Sequence, residues 1–427
     1  MLKGFYPLFV HFYSAEMKVI MKKSFRVKIF SLVVFLLSIQ VLGQQPNYTI
    51  LISLDGFRWD YSARGLTPNL DLIKSNGVHA LTLRPCFPSK TFPNHYSIVT
   101  GLYPENHGII ANDFTNRYTN KRYTLWDTIA KNDPMWYKGE AIWETAKRQG
   151  VITASYFWPG SELTADYRRP DYSKKFIYTT PYDERINGML EWLQLPYEKR
   201  PKLVMLYFDA TDTSGHNYGP NSNEVNQSIA MEDSLIGKIF SGLRNLNLLD
   251  STNIIVLSDH GMTELSPDRV INIDDVFSGF QFKTSDKGPL MFIYSDESEK
   301  NSIYKKLKES EKNYRVYWKK DIPEYLHYKD NPDVAEIVLI ADLGYSLFNN
   351  KDVEKYSKHF PLGNHGYDPL DIDMHGIFYA IGPDFKKGFT SGTLDNVDIY
   401  PLLAKILRIF PNNNIDGKLE RIEYLLK

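Results

Sequence analysis

A single cysteine, Cys86, stands in a chain of 427 residues. No disulfide can form within the chain, and no metal site built on several thiolates is available. Any metal must be held by imidazole and carboxylate. An excess of charge of one sign is also lacking, with 50 Lys and Arg against 51 Asp and Glu. A net charge of −1 argues against a protein that coats duplex nucleic acid. The apolar run Ile29–Leu42 is 14 residues long, short of the ~20 that span a bilayer. Internal repeats and low-complexity tracts are absent. What remains, 43% hydrophobic and 24% charged residues, is the composition of a globular protein.

Lys22, Lys23, Arg26 and Lys28 precede the apolar run, and Gly43 with a polar QQPN follows it. Basic flank, short apolar core and small residue form the layout of a secretory signal peptide, with an uncleaved anchor as the alternative. Residues 1–43 are therefore read as signal, with Met17 or Met21 as alternative starts. The mature chain, from about Gln44, is expected to be exported to a periplasm or the extracellular space, with no stable membrane span.

Tyr48–Leu54, Leu203–Phe208 and Ile254–Ser258 are short β-rich apolar runs, and each is followed by Asp: Asp55, Asp209 and Asp259. Helical patterns occupy 68–76, the stretch after Pro88, 223–248 and 396–407. Strands alternating with helices imply a doubly wound, mostly parallel α/β sheet with helices on both faces. Ligands of such sheets bind at the carboxyl ends of the strands. Between about 266 and 359 the pattern changes to short strands around a charged helix. That stretch reads as an α/β subdomain inserted into a catalytic domain spanning 44–427.

Asp212 and His216 lie four residues apart, on one face if helical, where both can reach one ion. Asp259 and His260 adjoin at a strand end. His365 lies in Gly-Asn-His-Gly-Tyr, and His375 is its rival. With Asp55 these supply six nitrogen and oxygen ligands, enough for two three-ligand zinc sites, each with an open position. Imidazole mixed with carboxylate suits zinc better than magnesium or calcium. Thr91 precedes an apolar helical stretch, where free amides and the helix dipole favour phosphate and an alkoxide.

The segments LISLDGFRWDY, FPSKTFPNHYSIVTGLYPENHGIIAN, FWPGSE, YFDATDTSGHNYGP, LSDHGM and NHGYDP run in order from Leu51 to Pro369. The chain resembles the nucleotide pyrophosphatase/phosphodiesterase family of the alkaline phosphatase superfamily, in the form of a bare catalytic domain similar to bacterial members. The resemblance implies two zinc ions per chain and a Thr91 nucleophile. It implies one zinc on Asp212, His216 and His365, and the other on Asp55, Asp259 and His260 together with Thr91. Asn112 is similar to the oxyanion contact, Phe92 and Tyr207 to the pair stacked on the nucleobase, and Lys90 and Trp158 are placed at the substrate. His95 is read as supporting. The implied substrate is a nucleotide or other phosphodiester, cleaved to a nucleoside 5′-monophosphate. The rivals are choline- or lipid-directed phosphodiesterases, a phosphomonoesterase, a phosphonoacetate hydrolase, and a sulfatase, whose activation motif would end in Arg where Lys90 stands. A catalytically dead binding module would lack Thr91 or a ligand, and none is missing.

Overall fold

The computed structural model describes residues 46–276 and 280–427. The expected signal segment lies outside the described residues. At the centre is Tyr48–Leu54, whose seven residues are all buried. Such a continuous apolar run suits a strand covered on both faces. It pairs in parallel with Leu203–Phe208 on one side and Thr252–Leu257 on the other. Thr153–Tyr156 and Tyr172–Lys174 extend the parallel sheet beyond Leu203–Phe208. On the far side Phe378–Ile381 pairs antiparallel with Thr252–Leu257 and with Val78–Ala80, and Phe389–Ser391 closes the eight-stranded sheet.

Period-two alternation sorts the strand residues onto two faces. Leu51, Met205 and Ile255 face a core shared with Ile98, Ile142 and Leu402 from helices on one side. Ile50, Ile52, Val204 and Ile254 face a core shared with Ile73, Met189 and Ile236 on the other. Residues 282–341 form a separate four-stranded antiparallel sheet, ordered Phe282–Ser285, Leu290–Ser295, Ile337–Ala341, Tyr314–Trp318. Asn47–Lys427 make one compact unit.

The helix Asn223–Asn245 organises its neighbours through two buried acids in succession. The Asp233 carboxylate accepts the backbone N–H groups of Asn69 and Leu70, at the start of Pro68–Asn76. The Glu232 carboxylate accepts those of Ala210 and Thr211, at the start of Ala210–Tyr218. Neither capped helix has a side-chain cap of its own, so one helix satisfies the free amides of two others. Burial outweighs these hydrogen bonds and pushes the Glu232 carboxyl up to about 8. A protonated Glu232 can donate to Thr211 Oγ1 while that hydroxyl donates to the Asp55 carbonyl at 2.7 Å. A raised carboxyl favours the fold below its unfolded value and loses that contribution as pH rises through about 8. Glu232→Gln should therefore flatten the fall in melting temperature between pH 5 and pH 9, by a few degrees in calorimetry.

Candidate active site

Strand register brings the first acids together. Ser53 pairs with Leu257, so Asp55 and Asp259 lie side by side two residues beyond. Asp212 and His216 share one face of Ala210–Tyr218, the helix that follows Leu203–Phe208. Gly56 lets that helix approach. It has φ +68°, and a Cβ there would stand 2.9 Å from the Asp212 Cα.

The three imidazoles are oriented alike. His216 Nδ1 donates to the Gly363 carbonyl, His260 Nδ1 to that of Gly261, and His365 Nδ1 to that of Ser89, each at 2.8 Å. A carbonyl only accepts, so Nδ1 carries a proton in each ring, and in the neutral ring the Nε2 lone pair faces inward. His260 Nε2 lies 3.2 Å from Asp55 Oδ1 and 3.1 Å from Asp259 Oδ2. His216 and His365 place Nε2 at 3.4 and 3.5 Å from Asp212 Oδ1. Those three oxygens, Asp55 Oδ1, Asp212 Oδ1 and Asp259 Oδ2, are buried and make no hydrogen bond. Lone pair facing lone pair in a buried cluster is the arrangement of a cation site. Among the described residues two groups can hold a metal ion, Asp55 with Asp259 and His260, and Asp212 with His260 and His365. His216 flanks the second group on its more exposed side, with a third of its side chain open.

The electrostatics carry the same strain. Burial, resisted by His216 and reinforced by Asp55 and Asp259, carries Asp212 up to about 7. Burial would raise Asp55 too, but His260, His95 and Tyr207 hold it at about 2. Burial opposes the charge on His260, yet Asp259 and Asp55 pull it up to about 10. His95 joins these groups from behind. Its Nδ1 donates to the Thr91 carbonyl at 2.9 Å and stands 3.2 Å from Asp259 Oδ2, while Nε2 meets Ser53 Oγ at 2.8 Å.

Thr91 is the first residue of the helix Thr91–Thr100, and its Oγ1 lies 3.2 Å from His260 Nε2. A cavity of about 510 Å³ opens here, lined by Thr91, Phe92, Asn112, Phe176 and Tyr207 beside the ligand residues. The Asn112 Oδ1 is buried without a partner, so its carboxamide keeps hydrogen-bonding capacity.

One sequence-based placement needs correction, and two others acquire internal partners. Trp158 is fully buried. Its indole N–H donates to the His95 carbonyl at 3.1 Å, so it braces His95 and does not meet substrate. The Lys90 ammonium is paired with Asp286 and lies outside the main cavity wall. Tyr207 lines the cavity but is only 9% exposed. Its hydroxyl donates to Asp55 Oδ2, and its ring sits edge-on to His95 at 5.3 Å. The more open aromatic wall is Phe176, unmarked by any local motif, with the Glu162 carboxylate accepting its backbone N–H at 2.9 Å. His375 is excluded from the clusters by its own bonds, Nδ1 to Thr82 Oγ1 and Nε2 to the Pro369 carbonyl. Asp209 is held away by Tyr182 and Arg185, at 3.2 and 3.3 Å.

A mostly parallel sheet whose strand ends gather carboxylates and imidazoles around a hydroxyl at a helix N-terminus defines an α/β core of the alkaline-phosphatase kind. Residues 49–368 match the family model for type I phosphodiesterase / nucleotide pyrophosphatase. The chain belongs to this family and is a phosphodiesterase/nucleotide pyrophosphatase. It is 42% identical over 377 residues to an uncharacterised pyrophosphatase/phosphodiesterase of Schizosaccharomyces pombe, covering 85% of this chain and 78% of the relative. Ectonucleotide pyrophosphatase/phosphodiesterase family member 5 of Homo sapiens is 36% identical, with 86% of this chain and 77% of the relative covered. Family member 3 of Bos taurus is also 36% identical over 87% of this chain, but the chain spans only 44% of it. Among solved structures, murine family member 5 in an inactive form with AMP has a TM-score of 0.84 at 35% identity, covering 90% of this chain and 100% of that one.

The hydrogen bonds separate the two rival histidines. His365→Ala should lower the metal bound per chain in elemental analysis, whereas His375→Ala should leave it unchanged.

Proposed function

We propose that this chain is an exported two-zinc phosphodiesterase that releases nucleoside 5′-monophosphates through a covalent threonine intermediate. The observation that carries the reading is Thr91 Oγ1 at 3.2 Å from His260 Nε2, at a helix N-terminus on the wall of an aromatic cavity. Asp55, Asp259 and His260, with Thr91, would hold one zinc, and Asp212, His216 and His365 the other. The donor set of imidazole and carboxylate fits zinc. Bound zinc would supply Lewis acidity, lowering the pKa of a hydroxyl or water.

Thr91 Oγ, its proton lost to solvent, forms a bond to phosphorus as the bond from phosphorus to the leaving oxygen breaks, and that oxygen leaves as an anion or takes a proton from solvent. The free amides at the start of Thr91–Thr100 and the Nδ2 of the Asn112 carboxamide would donate to the non-bridging oxygens. Water then cleaves the nucleotidyl-threonine ester, freeing the 5′-monophosphate and the Thr91 hydroxyl, and two displacements retain configuration at phosphorus. His95 holds Asp259 and the Thr91 backbone in one arrangement.

Phe92 and Phe176 line the cavity and give a base two aromatic surfaces. The inactive threonine-to-alanine form of murine family member 5 was solved with AMP, which supports both the nucleotide reading and the role of Thr91. The basic and apolar N-terminal segment and the ecto-enzyme relatives support export. Among the described residues no helix is long and apolar enough to cross a membrane. We read 44–427 as the catalytic domain, with an insertion at about 266–359.

Zinc-loaded enzyme should turn over the 5′-thymidine p-nitrophenyl ester far faster than p-nitrophenylphosphorylcholine. A choline preference would move the function to choline or lipid esters. Thr91→Ala should reduce turnover to background with metal content intact. Phe176→Ala should raise KM for the thymidine ester by about tenfold, the worth of one base–aromatic stack.

A further inference from the structure

The end of the main sheet away from the ligand clusters has a charge pattern that the catalytic reading leaves unused. From Phe389–Ser391 across to Leu203–Phe208, five strands begin at that end, and Phe378–Ile381, running the other way, finishes there. The segments joining them at this end, 74–77, 197–202, 244–252 and 382–388, hold seven Lys and Arg against three acids, Glu198, Asp250 and Asp384. The chain as a whole has a net charge of −1, so the excess is local. Strands spaced by ~4.8 Å make this face roughly 24 Å wide. The length of Tyr48–Leu54 sets it roughly 20 Å from Asp55 and the site.

Six of the seven cations have no acid to neutralise them. Among the described residues Lys74, Lys199, Arg200, Arg244, Lys386 and Lys387 form no ion pair. Elsewhere on the surface Arg117, Arg122, Lys238 and Lys329 are each paired with an acid. The seventh, Lys202, lies over the Tyr48 and Tyr197 rings at 4.2 and 4.8 Å. The Asp384 carboxylate is turned to the side-chain amides of Asn47 and Asn253. A cavity of about 490 Å³ opens on this face, with Arg244 and Lys387 on its wall beside Leu72, Phe240, Leu249 and Ile381. Leu72 is 46% exposed, and Tyr197 is 51% exposed. Free cations around open apolar and aromatic side chains are the mixture that settles at a layer of anionic lipid headgroups. Nucleic-acid phosphates would engage the cations and leave the apolar wall without use.

The sequence leads from this face to the apolar run. Asn47 precedes the central strand, and only Gly43 to Pro46 separate it from Leu42, where the run ends. Fully extended, that link reaches no further than about 18 Å. While Ile29–Leu42 is in a bilayer, as a signal segment or as an anchor, this face is the one held beside the headgroups. We propose that the face docks on a membrane surface rich in anionic lipid, leaving the ligand clusters and their cavity turned to the solvent. The docked enzyme then acts on soluble substrate above the membrane.

The test uses the chain from Gln44, which contains the whole compact unit Asn47–Lys427 and lacks the apolar run. Its sedimentation with phosphatidylcholine vesicles is compared with that on vesicles carrying about 30% phosphatidylglycerol, at about 0.1 M salt. The partition coefficient should be at least about a hundredfold higher on the anionic vesicles and should collapse at about 0.5 M salt. Lys199→Gln combined with Lys387→Gln should lower it about twentyfold, from two surface charges at about fivefold each. Lys305→Gln combined with Lys306→Gln, exposed on the helix Lys300–Glu309, should leave it unchanged. The zinc-loaded enzyme should turn over the thymidine ester at the same rate with and without anionic vesicles. Equal partition into both kinds of vesicle would overturn the docking. Full binding by the Lys199 and Lys387 double variant would move the contact to another face and sink the assignment. Capture on immobilised heparin with no vesicle binding would replace lipid by another polyanion. Binding that blocks turnover would show the cavity facing the membrane and refute the orientation. Sedimentation reads binding without turnover, so its result is separate from the nucleotide reading.

Discussion

Mutual repulsion among three carboxylates is the constraint on which the rest of the molecule depends. Asp55 and Asp259 are buried at the ends of adjacent strands, and Asp212 is brought against them by the helix that follows a third. Water would normally relieve such crowding, and burial denies it to Asp55 and Asp259, while Asp212 keeps partial access from the cavity. The imidazoles turn their Nε2 atoms toward the same points as the carboxylate oxygens, so in the neutral form they add to the crowding. The arrangement is stable only with positive charge at its centre, supplied by protons or by metal. The raised Asp212 and His260 groups are the protonic version of that relief.

The scaffold is correspondingly stiff. Each imidazole is tied through its far nitrogen to a main-chain carbonyl, and those carbonyls belong to three different segments. Trp158 holds His95, and His95 reaches both Asp259 and the Thr91 backbone. Behind the Asp212 helix, Glu232 occupies the amide end that its own sequence leaves uncapped. Polar groups in the second layer thus fix the first layer in direction as well as in position.

Legibility in the sequence followed the range of the interaction. An apolar β-rich run closed by Asp is a local signal, so the three strands and Asp55 and Asp259 could be read directly. The four-residue step from Asp212 to His216 was equally local. Trp158 and Lys90 sit in matching segments, but their partners are the His95 carbonyl and an Asp286 nearly two hundred positions away. Neither partner is visible from a motif: the first makes Trp158 an internal brace, and the second ties up the charge of Lys90 on the wall of a neighbouring cavity. Phe176 is the reverse case. Nothing beside it in the chain marks it, and only tertiary placement puts it on the cavity wall. Glu232 and Asp233 read as ordinary polar positions on a long helix, whereas the fold buries both as caps.

The two ligand groups also differ in how the chain reaches them. Asp55, Asp259 and His260 project from neighbouring strands and are all present once the first 260 residues have been made. The other group waits for His365, which follows the entire four-stranded sheet in sequence and is oriented by Ser89 from near the opposite end of the chain. Synthesis therefore delivers the site in two instalments. A nascent chain that stops within the second sheet still lacks His365, so the second candidate group is complete only after that sheet has been made.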